Sequence, residues 1–165
     1  MRIITGTAKG IKLLTLAGDD TRPTAERVKE AMFSAIQFEL FGKRVLDLFG
    51  GSGQLALEAL SRGAESAVVV DSNKKATDII RANAIKTNLL PLCRVICTDW
   101  RDFIKTAPQR LGAKEKFNLV FLDPPYKAGF IDEIIKRTSV TGILADDCVF
   151  VCESAEDGIP LPPDG

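Results

Sequence analysis

The sequence predicts an α/β fold in which a mostly parallel sheet carries helices on both faces. From residue 44 onward, short apolar runs rich in Val, Leu, Ile and Phe alternate with helical patterns. Near-continuous apolar strands of this kind belong to sheets covered on both sides. Val45-Leu46-Asp47-Leu48-Phe49-Gly50-Gly51-Ser52-Gly53 reads as a strand, a glycine turn and a helix start. Carboxylates recur in step with the strands. Asp47 lies inside the first, and Asp71, Asp99, Asp123 and Glu153 end later ones, at intervals of 24, 28, 24 and 30 residues. Each interval suits one βα unit, and ligands of such sheets bind outside the carboxyl ends of the strands.

The chain opens with two short predicted strands, 2–5 and 11–16, joined by the turn Gly6-Thr7-Ala8-Lys9-Gly10. A helix follows Thr21-Arg22-Pro23-Thr24. Val28, Ala31, Met32, Ala35 and Ile36 fall on one of its faces at i, i+3, i+4 spacing. Pro23 suits its first turn, Thr24 can cap it and Gly42 ends it. Strands are predicted at 44–49, 66–71, 94–99, 117–123 and 148–153, and helices near 53–62, 73–87, 101–110 and 130–137. Gly63 closes the first of these helices and Ser72 can cap the second. The chain thus divides into an N-terminal extension, 1–43, and a main domain, 44–165.

A length of 165 residues suits one main domain. With 45% hydrophobic and 27% charged residues, the chain is neither disordered nor fibrous. No apolar run reaches the ~18 residues of a membrane span, and Met1-Arg2-Ile3-Ile4 lacks a signal-peptide layout, so a cytoplasmic protein is expected. The absence of histidine removes Ser-His-Asp and Cys-His catalysis and His-based metal sites. Twenty-two Lys and Arg balance 22 Asp and Glu, which argues against a uniformly basic surface for nucleic acid. The balance hides an asymmetry. Residues 1–45 hold eight Lys or Arg against five Asp or Glu, so the segment is basic and the remainder acidic. Cys93 and Cys97, like Cys148 and Cys152, lie four residues apart. On a strand such residues share a face about 13 Å apart, too far to bridge or to chelate as a pair. They are expected as small buried residues in a reducing compartment, with no metal bound.

Two motifs carry chemistry. In the first, the glycines let a ligand approach the backbone, and the helix start offers free amides. Gly51-Ser52-Gly53-Gln54-Leu55-Ala56, with Asp71 18 residues beyond Gly53, also matches a dinucleotide fingerprint, so a nicotinamide oxidoreductase is a rival. Asp47 weighs against it. A carboxylate before the glycines repels a pyrophosphate and favours a cation, such as the amino and sulfonium groups of S-adenosylmethionine. Asp71 can accept from two ribose hydroxyls, and Asp99 from an adenine amine while Trp100 covers the ring. The second motif is Leu122-Asp123-Pro124-Pro125-Tyr126. Its prolines fix the backbone and remove donors, leaving carbonyls and the Asp123 carboxylate as acceptors. Tyr126 offers a face on which an extruded base can stack. An amine donating to these acceptors has its lone pair turned towards an electrophilic methyl, and no imidazole is needed.

Asp47-x-Phe49-Gly50-Gly51-Ser52-Gly53 with Asp123-Pro124-Pro125-Tyr126 resembles the class I S-adenosylmethionine-dependent methyltransferases of exocyclic amines. The Arg2–Gly10 hairpin, Thr21-Arg22-Pro23-Thr24 with Arg27-Val28-Lys29-Glu30-Ala31, and Glu58-Ala59-Leu60-Ser61-Arg62-Gly63-Ala64 narrow the likeness. Together they resemble the RsmD family, bacterial 16S ribosomal RNA guanine-N2 methyltransferases, over nearly the whole chain. The resemblance implies a Rossmann-like fold with S-adenosylmethionine as cofactor and 16S rRNA, in a small subunit or its assembly intermediate, as partner. It implies that Asp47, Gly51 and Gly53 hold the methionine part, Asp71 the ribose, and Asp99 and Trp100 the adenine, with Phe49 also at the cofactor site. Asp123 and Pro124 would orient the guanine amine while Tyr126 stacks on the base, and Lys9, Lys12, Arg22 and Arg27 would meet RNA.

Two departures stand out. Gly50 replaces a more usual Ala, which is expected to matter little. Family members continue into an antiparallel hairpin after the fifth strand, whereas this sequence stops at Leu161-Pro162-Pro163-Asp164-Gly165. A DNA or protein amine methyltransferase sharing the second motif, and a non-catalytic RNA-binding assembly factor, are the alternatives.

Overall fold

The structure is a computed structural model that describes residues 1–16, 23–112, 114–124 and 129–153, and for 23–25, 129 and 130 the backbone alone. Arg22, Pro125, Tyr126 and the 161–165 segment lie outside the described residues, as does the side chain of Thr24.

Among the described residues five strands form one sheet: β1 Arg44–Asp47, β2 Ser66–Asp71, β3 Cys93–Cys97, β4 Phe117–Leu122 and β5 Leu144–Cys152. Their order is β3-β2-β1-β4-β5, and every pairing is parallel. The helices are α1 Pro23–Ala35, α2 Gln54–Ser61, α3 Lys74–Lys86, α4 Trp100–Arg110 and α5 Gly129–Ser139. Successive strand residues point to opposite faces. Val45, Val69, Leu119 and Phe121 pack with Phe33 of α1, Leu57 of α2 and Ile80 of α3. Leu46, Val70, Val120 and Leu122 pack with Phe103 of α4 and Ile134 of α5. The helices therefore cover both faces, as the apolar runs predict.

The N-terminal hairpin forms differently from expectation. Its legs meet through a single antiparallel bridge, Arg2 to Lys12, and not as two regular strands. The reason lies in α2 and α3, whose side chains take the backbone groups that a strand would use. Glu58 accepts from the amides of Ile4 and Thr5 at 2.8 and 3.1 Å, and the Ser61 hydroxyl accepts from that of Ala8 at 2.9 Å. Ile3, Ala8 and Leu13 are buried in the same cluster as Val45 and Leu57.

In α1 the buried face is rotated from the predicted one. Lys29 and Phe33 are buried, whereas Val28, Ala31 and Ala35 are exposed. Phe33 packs against Phe121 of β4, their ring centres 5.7 Å apart. Lys29 occupies a core position because buried Glu58 pairs with it, so the charge broke the apolar pattern that periodicity reads. The helix stops at Ala35, and a short 3-10 turn, Gln37–Glu39, precedes Gly42.

Other differences are local. Asn73, and not Ser72, caps α3, accepting from the Lys75 amide at 2.9 Å. Strand β5 begins four residues before the predicted 148. Exposed Asp146 and Asp147 hide its start, and its register against β4 shifts between Phe117 and Leu119. The cysteine pairs sit on opposite sheet edges, β3 and β5. Cys93 is buried as expected. Cys97 is exposed, because β3 is an edge strand and its last residue has lost cover.

Candidate active site

The C-terminal edge of the sheet borders a cavity of about 730 Å³. The crossovers reverse direction between β1 and β4, the place where parallel sheets receive ligands. Four acids ending or following strands line it: Asp71 of β2, Asp99 after β3, Asp123 after β4 and Glu153 after β5. The spacing of carboxylates in the sequence thus becomes an acidic wall in space.

Glycine geometry shapes the loop between β1 and α2. Gly51 and Gly53 have φ of +58° and +82°, backbone that glycine adopts without strain. A Cβ on Gly51 would meet nothing within 4 Å, so its backbone is open to an incoming group. Phe49, Gly51 and Ser52 line the cavity, whereas Gly53 is buried as the residue opening α2. Gly50 is less interchangeable with Ala than expected. A Cβ there would stand 2.5 Å from Val69 Cγ1 and 2.7 Å from Ile80 Cδ1, which fill that space. Asp71 fastens the loop. Its carboxylate accepts from the Gly51 amide at 2.9 Å and from the Asn73 amide at 2.8 Å.

Asp47 lies off the cavity wall and is fully buried. Its Oδ1 accepts from the Phe49 amide at 3.1 Å, and its Oδ2 has no partner among the described residues. Burial pushes its carboxyl up to about 7. The Phe49 amide opposes that rise, and the charges of Asp123 and Asp71 add to it. A second buried oxygen without a partner, Oε1 of Gln54, belongs to the first residue of α2, on the cavity wall. The Gln54 oxygen is an acceptor, and so is that of Asp47 whenever its carboxyl is ionised. This part of the site asks for a donor, and the charge around it asks for a cation.

On the other side of the cavity stand Asp123 and Pro124. Burial, and then repulsion from Glu153, pushes the Asp123 carboxyl up to about 6. It is therefore mainly ionised at neutral pH, and Pro124 beside it has no N–H to compete as a donor. Asp99 and Trp100 line the same cavity and also serve the fold. Asp99 caps α4, accepting from the Arg101 amide at 2.8 Å. Trp100 is buried among Phe103 and Ile104, with the Arg101 guanidinium 4.4 Å from its ring centre.

Of the predicted site residues, Phe49, Gly51, Asp71, Asp99, Trp100, Asp123 and Pro124 come together around one cavity. Asp47 and Gly53 lie buried at the base of the same loop. Lys9, Lys12 and Arg27 are exposed and away from the cavity wall.

The structure adds residues that sequence reasoning missed. Lys29 lines the cavity, its Nζ 3.2 Å from Glu58 Oε1 and 3.4 Å from the carbonyl of Arg2. Burial lowers its pKa, while Glu58 opposes the drop. The spacing of Lys29, Phe33 and Ile36 along one helix face was the available signal. Met1, Thr15 and Leu16 also line the cavity. No sequence signal announced them, because side chains far along the chain, on α2 and α3, help to fold the N-terminal segment back.

Comparison with known proteins follows the same lines. A family model described as conserved hypothetical protein 95 matches residues 1–164. YlbH of Bacillus subtilis (strain 168) is 37% identical over 162 residues, 98% of this chain and 86% of its own length. Ribosomal RNA small subunit methyltransferase D of Escherichia coli (strain K12) is 33% identical over 166 residues, 99% of this chain and 79% of its own length. The solved structure of yhhF from Escherichia coli superposes with a TM-score of 0.83 at 33% identity, covering 99% of this chain and 86% of that one.

Proposed function

Because the chain belongs to the conserved hypothetical protein 95 family, that of the RsmD methyltransferases, we propose that it methylates small-subunit ribosomal RNA. The methyl comes from S-adenosylmethionine, and the acceptor is the exocyclic N2 of a guanine in 16S rRNA, within the small subunit or its assembly intermediate. One observation supports the cofactor most directly. Gln54 Oε1, on the wall of an acid-lined cavity, and Asp47 Oδ2, buried at the base of the glycine loop, have no donor among the described residues. The ammonium and sulfonium of S-adenosylmethionine bring donors and positive charge there, whereas the pyrophosphate of a dinucleotide brings more negative charge. The nicotinamide reading is weakened accordingly.

The residues present fit that cofactor. The open backbone at Gly51, with Phe49, would border its methionine part, and Asp47, buried beneath the same loop, would add negative charge behind it. The Asp71 carboxylate would accept from its ribose, and Asp99 and Trp100 would border its adenine. Bound there, S-adenosylmethionine supplies an electrophilic methyl.

The chain's own contribution is positioning. The Asp123 carboxylate and the Pro124 carbonyl accept the two hydrogens of the guanine amine. That fixes the amine and turns its nitrogen lone pair towards the methyl. The amine would take the methyl as its bond to sulfur breaks, releasing S-adenosylhomocysteine as a neutral thioether, and its proton would pass to the Asp123 carboxylate or to water as or after the C–N bond forms, so no strong base is required. Tyr126 stacks on the base, and Lys9, Lys12, Arg22 and Arg27 meet RNA phosphates.

The test is labelled-methyl transfer to unmodified small-subunit particles, naked rRNA and DNA in parallel, followed by nucleoside identification. Label in N2-methylguanosine from RNA or particles is expected. Label in DNA, or none anywhere, overturns the proposal.

A further inference from the structure

The glycine loop and the N-terminal segment are held by the same buried side chain. Asn83 of α3 is fully buried, and its amide makes three hydrogen bonds. Its Oδ1 accepts from the Leu14 amide at 2.7 Å. Its Nδ2 donates to the Leu14 carbonyl at 2.9 Å and to the Ser52 carbonyl at 2.8 Å. Asn83 therefore stands in for a neighbouring strand at Leu14, satisfying both backbone groups of one residue. It also grips the loop between Gly51 and Gly53.

What lies on each side of this clamp gives it a role. Ser52 lines the cavity within the loop read as the cofactor's cradle, and Thr15 and Leu16, next to Leu14, line the same cavity. The legs carrying Lys9 and Lys12 lead directly into this stretch. A buried polar group that loses its partner is costly. Displacing either the loop or the segment breaks a bond to one amide, so order in one favours order in the other.

We propose that Asn83 is a positioning residue that couples the N-terminal segment to the glycine loop, so that cofactor and RNA bind cooperatively. The proposal rests on the methyltransferase reading above and extends it from where the ligands sit to how they communicate. Coupling between sites is reciprocal: RNA tightens the cofactor by the factor by which the cofactor tightens RNA.

The experiment measures the dissociation constant of S-adenosylhomocysteine for the full chain, with and without unmodified small-subunit particles. The wild type is expected to bind it about tenfold more tightly with particles present, within the usual range of such couplings. Asn83→Ala is expected to bring that ratio close to one. Leu14→Pro, which removes one of the two bonds between Asn83 and residue 14 and leaves α3 intact, is expected to lower the ratio, and decides the matter if Asn83→Ala does not fold. A ratio that persists in either folded variant overturns the proposal, and so does a wild type that binds S-adenosylhomocysteine with no effect of the particles. A wild type that binds no S-adenosylhomocysteine overturns the methyltransferase reading itself.

Discussion

Asp47 is buried where none of the described residues donates to its second oxygen, which disfavours its charged form. Its folded pKa, about 7, stands above the ordinary 3.8. Between those values the folded chain binds more protons than the unfolded one, so stability falls as pH rises through that window. Asp123, raised to about 6, contributes in the same direction. The ligand-free protein is therefore expected to resist urea better at pH 5.5 than at pH 8. Asp47→Asn is expected to shrink that difference, while weakening S-adenosylhomocysteine in a binding titration. An unchanged pH dependence in the variant would remove Asp47 as its source. Asp123 is predicted to serve turnover instead. Asp123→Ala is expected to abolish methyl transfer and leave S-adenosylhomocysteine affinity within about threefold, since uniform binding and transition-state contacts separate in this way. In the wild type, transfer should decline below about pH 6 as this carboxylate protonates. Both carboxylates were legible in the sequence, because each follows an apolar run. Their altered acidity was not, because it depends on burial and on acids brought near from other strands.

At the scale of elements, α2 is the dock for the N-terminal segment. Glu58, fully buried, holds the Lys29 and Arg62 cations and accepts from the amides of Ile4 and Thr5. Removing one partner of such a buried ionic group strands the others. Glu58→Ala is therefore expected to cost about 3–5 kcal/mol of stability in urea unfolding, well above a surface substitution. A loss under about 1 kcal/mol would show that water replaces the carboxylate. The same dock explains what the sequence could and could not reveal. The strands and helices of the sheet were readable from periodicity, since one sheet and its helices use one pattern each. The hairpin and the buried face of α1 were misread because polar groups do the packing. Glu58, Ser61 and Lys29 look like surface residues in a list of letters. Asp146 and Asp147 concealed the start of β5 in the same way.

On the scale of the whole molecule, the residues before 44 and after it share a core. Ile3, Leu13, Phe33 and Leu40 pack with Val45, Leu57 and Phe121 in one cluster. Shared burial makes for a single cooperative unit. Unfolding in urea is expected to give one transition, coincident by Trp100 fluorescence and by far-ultraviolet circular dichroism. Two separated transitions would mean that the N-terminal extension folds independently. The sequence revealed the basic character of that extension, but not its place in the core. That place depends on contacts with residues far along the chain.

Those distances bear on how the protein is made. Ile4 finds its acceptor at Glu58, 54 residues later, and Leu14 finds Asn83 69 residues later. Central β1 lacks one neighbour until β4, since Val45 pairs with Leu119. Chains emerge from the ribosome N-terminus first, and distant pairings form slowly. The segment before α1 is thus made well before the residues it must wait for, and Ile3 and Leu13 travel as exposed apolar groups until α2 and α3 arrive.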